Sequence, residues 1–377
     1  MTVYYDIAAA VHRHPGLGRY ADSLLRALLL EHRDELALFA YGLPEDDLPE
    51  GLEGVPCHWE RAGRKPWRLK VWLGQLGRRS FDDLLPGASL YHATEHLLLP
   101  LRDIPTVLTV HDLLFRTFPR YHKLQNYTYL NLAVPLFCRR ANAIIAVSEY
   151  TKTDLVRTYG LEPDKVTVIY EAAAPHFCPP SAEQVGAARA RLGLPKRYLM
   201  TLCAIEPRKN HAGFLKAFER LAADDPDLHW LIGGRKGWLY EGFFSALEAS
   251  PVRERVILPG YIEDQDLTAV YGGALAYVFP SFGEGFGLPP LEAMACGTPV
   301  LSSRATSLPE VGGEAVLYFD PHDVDEMVAV TRRVLSDPDR RAHMREQGLA
   351  QAARFSWQRA AQETWALYER VGGKDGI

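Results

Sequence analysis

Cysteine is scarce in this chain, and what there is lies scattered. The five copies, Cys57, Cys138, Cys178, Cys203 and Cys296, show no CxxC spacing, which argues against a disulfide framework or a thiolate zinc site and fits a reducing cytoplasm. No apolar run approaches the length of a membrane span, and the short one from Met1 to Ala10 contains Asp6 and has no basic flank. Neither a spanning helix nor a secretory signal is expected, so the chain reads as cytoplasmic, or peripheral to the inner face of a membrane at most. Strong charge of either sign is missing too: the net charge of −5 gives no reason to expect a nucleic-acid partner. Metal motifs fail by position. Four Asp-x-Asp triplets begin at Asp225, Asp264, Asp323 and Asp337, all in polar turns or just ahead of helical runs, where Asp serves as a cap. None follows a buried strand, so no metal and no other cofactor is expected.

At 377 residues the chain exceeds one ordinary core and suits two lobes and a cleft. Short apolar runs alternate with longer amphipathic stretches throughout, the pattern of a doubly wound α/β fold. Strand candidates in the first half are Val3–Ala10, Leu36–Tyr41, Thr106–Val110, Ala143–Val147 and Val166–Tyr170. In the second half they are Tyr198–Ala204, His229–Gly233, Val256–Leu258, Ala274–Phe279 and Pro299–Ser302. The junction is expected between Glu171 and Pro195, with domains at 1–175 and 190–357 and a terminal helix at 358–377.

One segment stands out. Ser281-Phe282-Gly283-Glu284-Gly285-Phe286-Gly287-Leu288-Pro289-Pro290-Leu291-Glu292 follows an apolar strand candidate and leads into a helix that Gly297 would end. Its glycines let backbone approach a ligand, and the prolines suit a first helical turn whose N–H groups attract anions. Glu284 and Glu292 bracket that anion site and are acceptors for sugar hydroxyls. A ligand carrying both phosphate and polyol, such as a nucleotide sugar, fits both.

Other motifs also fall at strand ends, where ligands of open parallel sheets sit. Arg208 and Lys209, in Glu206-Pro207-Arg208-Lys209-Asn210, could hold a diphosphate, or form a solvated basic turn capped by Asn210. Gly16-Leu17-Gly18 allows close approach to phosphate or sugar and is equally read as a tight turn; it lacks the third glycine of a dinucleotide fingerprint. His111, directly after a buried strand, could donate to a sugar hydroxyl, or be held by a loop carbonyl with Asp112 capping the next turn. From Arg61 to Arg79 the chain is basic without an acid, with Leu69, Trp72, Leu73 and Leu76 on one helical face. The favoured reading packs that face on its own lobe; contact with an anionic membrane or a phosphate-bearing acceptor is the alternative.

With Glu284 and Glu292 seven residues apart, the Glu-Pro-Arg-Lys-Asn run and the Gly16-Leu17-Gly18 loop, the chain resembles glycosyltransferase family 4, retaining nucleotide-sugar transferases of the GT-B fold. Ala146–Lys152 and Phe355-Ser356-Trp357 extend the resemblance over essentially the whole chain. It implies two Rossmann-like domains facing a cleft, with the last helix crossing back to the first. It gives Glu284 the donor hexose hydroxyls, Glu292 those of the ribose, and Arg208 and Lys209 the diphosphate, with the N–H groups of Phe286, Gly287 and Leu288. Glu206, Gly16, Gly18, Gly285 and the base loop Gly260-Tyr261-Ile262 complete the donor site, and His111 sits by the hexose. One departure is Tyr170-Glu171-Ala172-Ala173, where the family often has Asn-Gly. The implied activity moves a hexose from GDP-mannose or a UDP-hexose to a glycan or lipid-linked acceptor in bacterial surface-polysaccharide synthesis, without a metal. A GT-B epimerase or phosphorylase, or a non-catalytic nucleotide-sugar-binding protein, is the alternative.

Overall fold

The structure is a computed structural model that describes residues 1–14, 16–43, 47–77 and 79–373. Arg78 of the basic stretch and residues 374–377 of the expected terminal helix lie outside the described residues. Two compact units emerge: Met1–Arg116, Leu124–Glu171 and Ser356–Ile377 form the first, and Thr117–Lys123 with Ala172–Phe355 the second.

The first unit holds seven strands, β1 (Val3–Asp6), β2 (Leu36–Gly42), β3 (Cys57–Arg61), β4 (Leu90–Ala93), β5 (Thr106–Val110), β6 (Ala143–Ala146) and β7 (Val166–Val168), in the order β3-β2-β1-β4-β5-β6-β7. The second holds β8 (Tyr198–Leu202), β9 (His229–Gly233), β10 (Val256–Gly260), β11 (Ala276–Phe279), β12 (Val300–Ser303) and β13 (Val316–Phe319), in the order β10-β9-β8-β11-β12-β13. Every described pairing is parallel, β1 with β2 and β4, and β8 with β9 and β11. Central strands are buried on both faces, which is why they read as continuous apolar runs rather than alternating ones. In each sheet the strand order reverses once, between β1 and β4 and between β8 and β11. Such reversals open a crevice at the carboxyl ends.

Several sequence expectations need correction. The strand expected at Val3–Ala10 stops at Asp6, because the Asp6 carboxylate accepts the Ala8 N–H at 2.9 Å and opens a short helix, Ala8–Val11. The next helix begins at Leu17, so Gly18 lies in it; a Cβ there would stand 2.9 Å from the Ala9 carbonyl oxygen. Its glycine is required by packing of one helix on another. Strands β3, β4 and β13 were not anticipated: β3 is polar and half-exposed, and β4 and β13 are four residues each. The unit boundary falls after Glu171, and the helix Ala182–Leu192 belongs to the second unit, where Arg191 pairs with the buried Asp266. Thr117–Lys123 joins the second unit because Tyr121 stacks on Phe282, ring centroids 5.7 Å apart, and the Trp238 indole donates to the Tyr121 carbonyl.

The basic stretch forms the helix Arg64–Gly77, and the face expected to pack inward is divided: Trp72 is half-buried against the core of its own unit, while the three leucines face out. Trp67, Val71, Gly74 and Gln75 are buried, while Leu69, Leu73 and Leu76 are exposed. The terminal helix Trp357–Gly372 completes the first unit: the Tyr368 hydroxyl lies 2.6 Å from His92 Nδ1, and Trp365 stacks on His32. Of the Asp-x-Asp triplets, Asp323 and Asp337 accept the N–H groups of Glu326 and Arg340 as helix caps.

Candidate active site at the switch point of the second sheet

Two loops meet where the second sheet reverses. After β8, Pro207–Lys209 makes one tight 3-10 turn, closed by Asn210 in the left-handed region at φ 57°. Asn210 does not cap the following helix with its side chain; its amide donates to the Pro321 carbonyl at 2.8 Å. After β11 comes the glycine loop, tied to the first by Phe282 N–H donating to the Arg208 carbonyl at 2.9 Å. Thr306 both donates to and accepts from the Glu284 backbone at 2.8 Å, and Ser307 donates to the carbonyls of Glu284 and Phe286. Buried loop amides are thus satisfied by side chains instead of a strand neighbour.

Into this frame the sequence places four ionisable groups. Lys209 Nζ lies 2.7 and 2.9 Å from the two Glu284 oxygens, and Arg208 Nη1 stands 3.1 Å from Glu284 Oε2 while donating to the Gly283 carbonyl. Arg208 Nη2 reaches Glu206 Oε1 at 2.7 Å. All four side chains are largely shielded from solvent. Burial pushes the Glu284 carboxyl up, but Arg208, Lys209 and the Ser281 hydroxyl outweigh it and hold the group at about 2. For Glu206 burial wins over Arg208, so its carboxyl is raised, and its Oε2 is buried with no hydrogen-bond partner. Two carboxylates sharing one guanidinium are therefore pushed apart, and Glu206 takes a proton first as pH falls.

The helix Leu288–Ala295 starts beside this network, with Gly287 at φ 117° before it. Pro289 and Pro290 follow Leu288 directly, so the first turn offers fewer N–H groups than an ordinary one; Phe286, Gly287 and Leu288 carry the donors here. Glu292 is buried in that helix and accepts the Tyr271 hydroxyl at 3.0 Å. Gly260 ends β10, two strands from β8, and Tyr261 and Ile262 follow it. The Gly260 carbonyl accepts Gly234 N–H, Ile262 is buried, and Tyr261 is exposed with the Arg235 guanidinium 4.8 Å from its ring centre.

Gly16, Gly18 and His111 belong to the first unit. Gly16 precedes the helix that carries Tyr20, whose ring meets His111 edge-on at 4.7 Å. His111 is buried, with Nδ1 3.2 Å from Glu171 Oε1 and Nε2 3.0 Å from the Thr94 carbonyl. Both partners are acceptors, so the ring satisfies both only as an imidazolium. Burial opposes that charge, yet Glu171, the Thr94 carbonyl and Asp112 raise the pKa above its ordinary value. Neither nitrogen is free for a sugar hydroxyl in this arrangement, which matches the second of the two sequence readings, a ring held by a loop carbonyl. Asp112 does accept the Leu114 N–H at 2.9 Å.

The comparison with known proteins decides the family. The chain is 30% identical to O-antigen chain mannosyltransferase B of Escherichia coli, over 94% of this chain and 96% of that one. It belongs to glycosyltransferase family 4. The family models described as "Glycosyl transferases group 1" and "Glycosyltransferase Family 4" match residues 187–351 and 15–175. The serotype-specific mannosyltransferase WbdA of Escherichia coli is 33% identical over 70% of this glycosyltransferase, which spans only 33% of the length of WbdA. The structure of HepE from Anabaena, in complex with UDP and glucose, matches with a TM-score of 0.76 at 18% identity, covering 98% of this chain and 99% of that one. The fold is therefore GT-B, two Rossmann-like domains.

Sequence reasoning missed several residues that shape this glycosyltransferase. Glu171, the partner of His111, stood in the segment that departs from the family pattern; a carboxylate directly after a strand was the available signal. Thr306 and Ser307, which lace the glycine loop, carried none, since their Glu284 partner is 22 and 23 residues away and is met through its backbone.

Proposed function

We propose that this enzyme is a retaining, metal-independent hexosyltransferase that moves mannose from GDP-mannose, or a hexose from a UDP-sugar, to a glycan or lipid-linked acceptor in surface-polysaccharide synthesis. One observation carries the reading: Arg208, Lys209 and Glu284 form a single shielded network at the switch point, next to a helix start. A diphosphate entering there shares the two cations with Glu284, and the carboxylate oxygens so released accept sugar hydroxyls. As the bond between sugar and diphosphate breaks, negative charge grows on the leaving group, and Arg208 and Lys209 meet it in a setting where water competes weakly. No step needs a divalent ion. Retention follows if the acceptor attacks from the leaving-group face, with a departing phosphate oxygen taking its proton. Glu292 reads the ribose in this scheme.

The mannosyl preference is supported by the E. coli relatives, both mannosyltransferases. The test is a thermal-shift panel of GDP-, UDP- and ADP-sugars with and without EDTA, followed by turnover. Stabilisation by GDP-mannose that survives EDTA, and its loss in Arg208→Ala, is expected. Turnover left intact by Arg208→Ala, or abolished by EDTA, refutes the corresponding part.

A further inference from the structure

The network at the switch point is balanced by itself, with the cations Arg208 and Lys209 facing the carboxylates Glu206 and Glu284. A nucleotide sugar brings one negative charge on each of its two phosphates, so its arrival leaves the shielded network with an excess of negative charge. The two carboxylates are not equally fit to give theirs up. Glu284 is gripped from two sides, by Lys209 Nζ at 2.7 and 2.9 Å and by Arg208 Nη1 at 3.1 Å, and it also accepts the Ser281 hydroxyl. Glu206 has one cation in hydrogen-bond reach, Arg208 Nη2, 2.7 Å from Oε1, and its side chain is 2% exposed. Its Oε2 is buried with no hydrogen-bond partner. An oxygen left unmet costs more on a charged carboxylate than on a neutral carboxyl.

The loop after β9 closes Glu206 off. The Arg235 carbonyl accepts the Ile205 N–H and the Gly237 N–H donates to the Ile205 carbonyl, both at 3.0 Å, and a Cβ on Gly237 would stand 3.5 Å from Glu206 Cβ. The other titratable groups around it add no buried positive charge. Burial pushes the Cys203 thiol up to about 12 and the His211 ring, 3.6 Å from that sulfur, down to about 3, so both are neutral. Arg235 and Lys236 are exposed, with the Lys236 ammonium 4.4 Å from the Phe244 ring centre.

We propose that Glu206 is a positioning residue that takes up one proton from solvent when the diphosphate of a nucleotide sugar binds Arg208 and Lys209. The proton forms an O–H bond on Oε2, and no bond of the sugar breaks in this step. Oε1 keeps its hold on Nη2, so the guanidinium stays in place while the charge that repels the phosphates disappears. Glu284 remains ionised and acceptor-only. By linkage, a ligand that makes its protein bind a proton itself binds more tightly as pH falls. The inference rests on the diphosphate site proposed above.

The experiment is titration calorimetry of the full chain with GDP-mannose and UDP-glucose from pH 5.5 to 8.5, in PIPES, HEPES and Tris, whose ionisation heats differ. The diphosphate of a nucleotide sugar does not titrate in this range, so any proton taken up goes to the protein. Uptake should reach about 0.5 to 1 proton within the range, with Kd rising up to about tenfold per pH unit there. Glu206→Gln keeps an oxygen for Arg208 but cannot take the proton; it should lose this uptake and bind more tightly than the native protein at the alkaline end. The difference between the two proteins isolates Glu206 from His111. Equal uptake by both, or native uptake below about 0.2 proton at every pH, overturns the inference and leaves the diphosphate site standing. Binding that Arg208→Ala leaves unchanged, or no binding of either sugar nucleotide, overturns both.

Discussion

Replacing Lys209 by Met tests whether the switch-point network is held by charge. Glu284 sits at about 2 instead of its ordinary 4.5, so it is a depressed carboxyl. Its contribution to stability is present above about 4.5 and is lost as pH falls towards 2; the displacement corresponds to about 3 kcal/mol at neutral pH. Lys209 Nζ lies within 2.9 Å of both oxygens, and Arg208 Nη1 stands 3.1 Å from Oε2. Without Lys209, burial acts against Arg208 and the Ser281 hydroxyl, and the loss should be about 3–5 kcal/mol, the range for breaking a buried pair. For a unit of this size that lowers Tm by roughly 6–20 °C. Differential scanning fluorimetry from pH 3 to 8 is the assay: Lys209→Met should melt lower at neutral pH and show a flatter decline below 4.5. Adding Glu284→Gln should restore much of the stability, since no carboxylate is then stranded, while leaving turnover abolished. A single variant that melts with the native protein at pH 7 and declines in parallel below 4.5 would refute the reasoning.

Glu171→Gln should shift the alkaline limb of the rate profile to lower pH. The raised His111 pKa contributes stability that is present below 6.5 and lost as pH rises through the folded value; that window should shrink in the variant. A tenfold drop in turnover at pH 8 with little change near pH 6 is expected if the imidazolium is the working form; a uniform drop would mark a purely structural role. Gly18→Ala should cost about 1–3 kcal/mol in urea denaturation, because its Cβ meets the Ala9 carbonyl oxygen at 2.9 Å. Gly186→Ala, in the helix Ala182–Leu192 with nothing within 4 Å, should gain about 0.5–1 kcal/mol.

The central strands were legible because burial on both faces leaves an unbroken apolar run, as at Thr106–Val110 and His229–Gly233, whose bounds matched. The edge strand Cys57-His58-Trp59-Glu60-Arg61 was not, since a half-exposed edge needs no such run. At the site, cations and glycines after strands announced the two loops. Their mutual geometry was not written locally: Lys209 and Glu284 are 75 residues apart, His111 and Glu171 60. The basic helix misled for a different reason. Periodicity pointed to the leucines as the inward face, but the chain buries a glycine and a glutamine instead: Gly74 lets Pro100 approach, and the Gln75 amide donates to the Leu98 carbonyl.

The terminal helix also sets an order of events during synthesis. His92, at the middle of the first sheet, is fully buried, and its ring is held between the Tyr368 and Thr109 hydroxyls. Tyr368 leaves the ribosome only after the whole stretch Ala172–Phe355. At usual elongation rates the first unit waits on the order of ten to forty seconds for its final partner, while the second unit has every residue it needs before translation ends. The nascent chain thus keeps its N-terminal sheet open along the Trp365 and Tyr368 seam, where chaperone capture and proteolysis would concentrate, and docking of the helix Trp357–Gly372 is the step that seals it.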